Sequence, residues 1–155
     1  MGHASSTRKR GSTMALTRDE REQFLAEPHI AALAVDSGED GRAPLVVPIW
    51  YQYAPGEDVW VLTGRDSRKA RLIAAAGRFS LMVERLEPTI RYVSVEGAVV
   101  GTEDATVERL REISARYLPA EKVDGYVEMA LKEHGEQVVI RLRPEHWVSS
   151  DLGSV

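Results

Sequence analysis

The chain of 155 residues contains no cysteine. This absence excludes a disulfide framework, a zinc site built on thiolates and a cysteine nucleophile. The sequence also lacks any apolar run of the roughly 20 residues that a membrane-spanning helix needs, and its N-terminus lacks the apolar segment of a signal peptide. We therefore expect a cytoplasmic protein that has no membrane partner.

An excess of positive charge is also missing. The chain has 20 Lys and Arg against 24 Asp and Glu, a formal net charge of −4. Such a protein has no overall attraction for a phosphate backbone. The basic clusters at 8–10 and 65–71 leave a local nucleic-acid patch as an alternative. The net charge disfavours that alternative, and we expect no nucleic-acid partner.

Several catalytic and cofactor-binding motifs are absent. The sequence has no G-x-G-x-x-G, no Walker motif and no G-x-S-x-G, and its four histidines show no metal-ligand spacing such as H-E-x-x-H. We therefore assign no metal and no set of catalytic side chains. A protein whose bound redox cofactor carries the reaction needs only to bind, orient and shield that cofactor.

The composition is that of one globular domain preceded by a polar arm. Hydrophobic residues make up 43% of the chain and charged residues 28%, an ordinary balance for a folded domain of this length. Residues 1–13 have no periodic apolar positions, which predicts a disordered arm. The domain then occupies residues 14–155.

The domain alternates short β-branched runs with a few amphipathic stretches. The predicted strands cover residues 29–35, 45–53, 59–63, 79–83, 92–100 and 138–142. The predicted helices begin with a capping box at residues 17–20, run from Ser67 to Gly77, and cover residues 103–117 and 121–134, before a tail at 144–155. Six strands with short turns favour a mainly antiparallel sheet that closes into a barrel, because closure removes exposed edges. Gly97 is expected at a bulge or a close approach.

The strongest local signal is the segment 63–71, TGRDSRKAR, between a strand and a helix. Cations in the first turn of a helix oppose the helix dipole, and a bound phosphate reverses the sign of that interaction. Ser67 can cap the helix while Arg65, Arg68 and Lys69 converge on the same place. The alternative is a solvated basic loop that pairs with Asp66 or another acidic group.

Pro48 interrupts the predicted strand at 45–53 and lies beside Trp50. Proline removes a ladder hydrogen bond, and irregular strand backbone can instead hydrogen-bond a planar ring. The alternative is that the neighbouring aromatic residues fill the core or a dimer interface. Trp147 has the same two interpretations.

Five segments together resemble one family: PLVVPIWYQY, VWVLTGRDSRKARLI, FSLMVE, RYVSVEGAVV and VVIRLRPEHW. They resemble the pyridoxamine 5′-phosphate oxidase-like flavin and deazaflavin split-barrel proteins over residues 16–150, and T-G-x-x-S-x-K-A-R is the most specific part. The resemblance implies a mainly β fold with peripheral helices, a six-stranded antiparallel split β-barrel. It also implies a homodimer with a cofactor in each of two clefts at the subunit interface.

The resemblance also implies a set of cofactor-binding residues. Those expected to hold the cofactor phosphate are Thr63, Ser67, Arg68 and Lys69, with Arg65 as a further candidate. Those expected to run along the ring system are Val47, Pro48, Ile49 and Trp50. Trp147 would close the cleft, from its own chain or from the partner.

The function implied by the resemblance is hydride transfer between coenzyme F-420, a deazaflavin, and a small organic acceptor such as an enone or quinone. The Arg- and Ala-rich composition, typical of actinobacterial proteins, favours F-420. The alternatives are an FMN-binding oxidoreductase and a non-catalytic flavin or deazaflavin carrier. Vitamin B6 oxidation is disfavoured because residues 143–147 do not match the Arg and His arrangement that grips the substrate phosphate in true pyridoxamine phosphate oxidases.

Overall fold

The computed structural model describes residues 15–133 and 135–153, which form eight strands and four helices. The predicted arm at 1–13 and the predicted helix end at His134 lie outside these residues. The helices are α1 (Arg18–Ala26), α2 (Arg68–Ala76), α3 (Val107–Tyr117) and α4 (Ala120–Glu133). The strands are β1 (Ala31–Val35), β2 (Leu45–Ile49), β3 (Tyr51–Gln52), β4 (Val59–Gly64), β5 (Arg78–Arg85), β6 (Arg91–Asp104), β7 (Gln137–Leu142) and β8 (His146–Asp151).

The strands form one antiparallel sheet in the order β2-β1-β5-β6-β7-β4-β3, with β8 paired to β6. β2 and β3 lie at opposite ends of this order, although only Trp50 separates them along the chain. The sheet therefore curls until its two ends meet in the segment 45–52. This closure confirms the predicted antiparallel split barrel.

Two details differ from the expected strands. The single strand expected at 45–53 is divided at Trp50 into β2 and β3. The expected tail at 144–155 was wrong, because β8 pairs with the first half of β6. The pattern of β8, HWVSSD, has little apolar character, so its pairing partner and not its own composition makes it a strand.

The core has one large part inside the barrel and two smaller parts under α3 and α4. Alternate residues of the strands point inward, and α1 and α2 add Phe24, Leu25 and Ile73 to the barrel core. α3 and α4 pack on each other through Leu110 and Val127, and half-buried Leu62 of β4 lies against them. The two helices therefore cover the outer side of the barrel where β4 passes.

The helix ends follow the predicted signals. The Thr17 hydroxyl accepts a hydrogen bond from the Glu20 amide at 3.2 Å, and the Glu20 carboxylate accepts one from the Thr17 amide at 3.0 Å. Ser67 caps α2 by accepting from the Ala70 amide at 3.2 Å. Gly77 ends α2 in the left-handed conformation, with φ of 74°. The sequence therefore predicted the caps of both helices.

Helical membrane spans and metal clusters are both absent from residues 15–133 and 135–153. No helix there is long and apolar enough to cross a membrane. No three His, Cys, Asp or Glu side chains there are grouped so that they could hold a metal ion.

Gly97 lies where the link between β7 and β8 crosses β6. The Arg143 amide donates to the Ala98 carbonyl at 3.0 Å, and the Glu145 amide donates to the Glu96 carbonyl at 2.9 Å. A Cβ atom at Gly97 would lie 1.7 Å from the Arg143 carbonyl oxygen. This confirms the predicted close approach.

We predict that Gly97→Ala lowers the free energy of unfolding by about 3 kcal/mol, because the crossing backbone must move to admit a methyl group. Gly125→Ala on α4 is the matched control. Its added Cβ meets nothing within 4 Å, so the helix should gain about 0.5–1 kcal/mol. Urea unfolding of both variants measures the two changes, and equal values would contradict the crossing.

Candidate functional site

The loop that joins β4 to α2 brings two hydroxyl groups together. The Thr63 and Ser67 side-chain oxygens lie 3.2 Å apart, and Thr63 is only 4% exposed. The Ser67 amide donates to the Gly64 carbonyl at 3.1 Å, which closes a tight turn. The first turn of α2 therefore starts from a fixed position on β4.

The first turn of α2 carries cations without acidic compensation. It contains no Asp or Glu. Within the part of the chain that the structure describes, no ion pair involves Arg68 or Lys69. Arg68 is exposed and Lys69 is half-buried. Both charges therefore add to the positive end of the helix dipole, an arrangement that suits an anion.

Arg65 differs from these two cations. Its Nε atom donates to a carboxylate oxygen of Glu136 at 3.1 Å, and its Nη2 atom forms an ion pair with Asp104. The hydrogen bond to Asp104, followed by the charge of that carboxylate, raises the pKa of Arg65. The charge of Arg65 is therefore already engaged by two carboxylates.

A cleft of about 480 Å³ opens beside Lys69. Five of the predicted cofactor-binding residues line it: Pro48, Ile49, Trp50, Thr63 and Lys69. Six further residues complete the lining: Leu62, Gly64, Leu110, Ile113, Tyr126 and Gln137. The broken strand, the β4–α2 loop, α3, α4 and the start of β7 therefore meet at one place.

Sequence reasoning missed two of these six residues, Leu110 and Ile113, for an identifiable reason. The periodicity of the segment 103–117 predicted an amphipathic helix, but it did not say what the apolar face covers. Leu110 and Ile113 lie on that face and form a wall of the cleft. Burial raises the pKa of Tyr126, so its hydroxyl stays protonated at neutral pH.

The break at Trp50 is held by the end of α3. The Tyr117 hydroxyl donates to the His29 carbonyl at 2.8 Å and accepts from the Tyr51 amide at 3.1 Å. The rings of Trp50 and Tyr117 stack, with centroids 4.7 Å apart and planes 18° apart. Trp50 therefore packs on an aromatic residue of α3 and lines the cleft at the same time.

The other five predicted residues lie outside the cleft lining: Val47, Arg65, Ser67, Arg68 and Trp147. Val47 packs against the barrel core, although its backbone belongs to β2, which pairs with β1 alone among the described strands. The ring of Trp147 lies 4.6 Å from the Arg21 guanidinium in a separate cleft that also includes Tyr53. A role for Trp147 in closing a cofactor cleft stays a prediction.

The comparisons with known proteins agree with this fold. The family model for pyridoxamine 5′-phosphate oxidase matches residues 17–151. The chain belongs to the pyridoxamine 5′-phosphate oxidase family. This family contains flavin- and deazaflavin-binding split-barrel proteins. No curated protein matches the chain in sequence.

Solved structures of the same fold include three whose similarity covers most of both chains. A conserved hypothetical protein of Mycobacterium tuberculosis is 23% identical with a TM-score of 0.66, covering 89% of this chain and 86% of that one. An F-420 reductase is 26% identical with a TM-score of 0.63, covering 82% and 94%. An FAD-binding protein of Mesorhizobium loti is 18% identical with a TM-score of 0.57, covering 88% and 94%.

We predict that Tyr117→Phe lowers the free energy of unfolding by about 1–3 kcal/mol, because the buried Tyr51 amide loses its acceptor. Tyr126→Phe is the control, since burial alone accounts for the raised pKa of Tyr126 and no hydrogen bond contributes. That variant should stay within about 0.5 kcal/mol of the original chain. Denaturant unfolding measures both, and an unchanged Tyr117 variant would remove the hydroxyl from its structural role.

Proposed function

We propose that the chain binds coenzyme F-420 and transfers a hydride between this deazaflavin and a small organic acceptor such as an enone or quinone. The observation that carries the proposal is that the uncompensated cation Lys69 and the broken strand line one cleft. The similarity to an F-420 reductase, at 26% identity over most of both chains, supports the choice of cofactor.

The donors at the start of α2 suit a phosphate group. The hydroxyls of Thr63 and Ser67, the first-turn amides of α2 and the charges of Arg68 and Lys69 would hold it. No carboxylate in the described residues forms an ion pair with either cation, so an incoming anion need not displace one. The phosphate-loop interpretation therefore accounts for charges that a free helix N-terminus disfavours.

The rest of the cleft suits a planar ring. Its volume of about 480 Å³ lies within the range of small-molecule sites. Val47, Pro48, Ile49 and Trp50 offer the backbone of an open strand edge, while Leu62 and Ile113 exclude water. When bound, the deazaflavin supplies the hydride chemistry. The protein binds, orients and shields it.

FMN is the alternative cofactor, because the same donors suit its phosphate. A non-catalytic carrier of either cofactor is the other alternative. Fluorescence titration with F-420 and with FMN over one concentration range separates the first two cases, and we expect the lower Kd for F-420. Reduced F-420 mixed with enones and quinones then separates an enzyme from a carrier.

We predict that Lys69→Ala and Arg68→Ala each raise the Kd for F-420 at least tenfold, because each removes a charge-assisted contact worth about 1.5–3 kcal/mol. Arg42→Ala is the matched control, since Arg42 pairs with Glu39 in the exposed β1–β2 turn. Its Kd should stay unchanged. Equal affinities for all four proteins would disprove the phosphate site, and binding of neither cofactor at tens of micromolar would disprove the function.

We also propose a homodimer that forms through the outer face of β2, β1, β5, β6 and β8. Register aligns one outward-facing row across these five strands: Pro48, Ala32, Met82, Ser94 and Val148. No member of the row is charged or buried. Val148 is 60% exposed, and Val46, in the next row, is 61% exposed. The flanking rows carry Glu84 and Glu96, so the proposed contact centres on this one uncharged row, which suits the same row of a second copy.

We predict that Met82→Glu, at the centre of this row, converts the dimer to a monomer because dimerisation would bury an unpaired carboxylate in the interface. Leu86→Glu is the control, since Leu86 is 73% exposed and lies outside the row. Sedimentation velocity measures the oligomeric state. A monomeric original chain would refute this interface, whereas a dimeric Met82 variant would place the interface elsewhere.

A further inference from the structure

Arg65 lies in the same loop region as Arg68 and Lys69, but it contacts a different part of the chain. Its backbone amide donates to the Glu136 carbonyl at 2.9 Å. Its side chain donates to the Glu136 carboxylate at 3.1 Å and pairs with Asp104. Three separate contacts of one residue therefore tie the loop to two other places in the chain.

These contacts extend two strand ladders. β7 pairs with β4 as far as Gly64–Gln137 and with β6 as far as Asp104–Val138. Arg65 follows the last paired residue of β4, and Glu136 precedes the first paired residue of β7. The Arg65 cluster, consisting of Arg65, Asp104 and Glu136, therefore joins the ends of β4 and β6 to the start of β7.

The start of α2 is built directly on this cluster. Two residues after Arg65, the Ser67 amide bonds to the Gly64 carbonyl, and Ser67 then caps the helix. The position of Lys69 relative to the cleft therefore depends on where Arg65 is held. Arg65 itself does not line the cleft that contains Lys69.

We propose that Arg65 is a positioning residue that fixes the start of α2, and that it is not a phosphate ligand. One guanidinium between two carboxylates leaves the cluster with a net negative charge, which cannot attract a phosphate. Only the effect of Arg65 on the affinity for cofactor rests on the proposed function. The anchoring of the loop is a property of the free protein.

The expected effect is moderate because the cluster is solvated. The side chains of Arg65, Asp104 and Glu136 are 42%, 82% and 81% exposed. Ion pairs at such sites contribute little each, so removal of the cluster should change local opening and ligand affinity by about threefold to tenfold.

The first test is amide hydrogen exchange of the free protein, followed at Ser67 and Ala70. We expect exchange at both amides to become about threefold to tenfold faster in R65A and in the double variant D104N/E136Q. R42A, which removes another exposed arginine, in the β1–β2 turn, should leave both rates unchanged. Unchanged rates in R65A would overturn the positioning role, whether or not the protein binds F-420.

The second test is titration of the same variants with F-420, with circular dichroism to verify folding. A positioning role predicts a threefold to tenfold higher Kd in both R65A and D104N/E136Q, and no further loss when all three changes are combined. A direct ligand predicts the opposite sign for the double variant, because neutral partners free the guanidinium for the phosphate. Tighter binding by D104N/E136Q would therefore overturn the proposal.

The salt dependence of the Kd distinguishes a direct phosphate contact from a positioning role, because a change in stability alone would not alter it. Removal of a direct phosphate contact reduces the dependence of binding on salt, because one screened charge pair is lost. K69A should show this reduction, whereas R65A should keep the dependence of the original chain. A reduced dependence in R65A would overturn the proposal. If the original chain binds neither F-420 nor FMN, the proposed function fails. The exchange result still decides whether Arg65 positions the start of α2.

Discussion

The barrel closes through a single segment, residues 45–52, that must pair with β1 on one side and β4 on the other. The segment is divided at Trp50, so that β2 pairs with β1 and β3 pairs with β4. The break leaves an open strand edge. It also leaves the Tyr51 amide without a strand partner, and that amide donates to the hydroxyl of Tyr117. Trp50 at this break lines the cleft, and α3, whose Tyr117 bonds to the break, contributes Leu110 and Ile113 to the same lining.

Much of the fold was predictable because its signals are local. The side chains of Thr17 and Ser67 and the missing side chain of Gly77 predict helix ends. Gly97 likewise predicts a close approach of two backbones. The wall made by Leu110, Ile113 and Tyr126 was not predictable, because periodicity identifies an apolar face without its partner. β8 was missed for a related reason: its pairing depends on the open edge of β6, which lies about 55 residues earlier.

The β4–α2 loop shows the same distinction within one motif. Arg65, Arg68 and Lys69 have similar charges and lie within five residues, so the sequence predicted one shared role for them. The fold separates them, because strand register brings Asp104 and Glu136 to Arg65 alone. Residue type therefore indicates the proposed anion site, while long-range register decides which cations remain available to it.

β6 is the strand on which both halves of the barrel depend, since it pairs with β5, β7 and β8. Two of these partners, β7 and β8, follow β6 along the chain. While residues 137–151 are still inside the ribosome, β6 has an unpaired edge along its whole length, and the barrel cannot close. The barrel therefore cannot form until synthesis has passed residue 151, and until then the unpaired edge of β6 can pair with other chains.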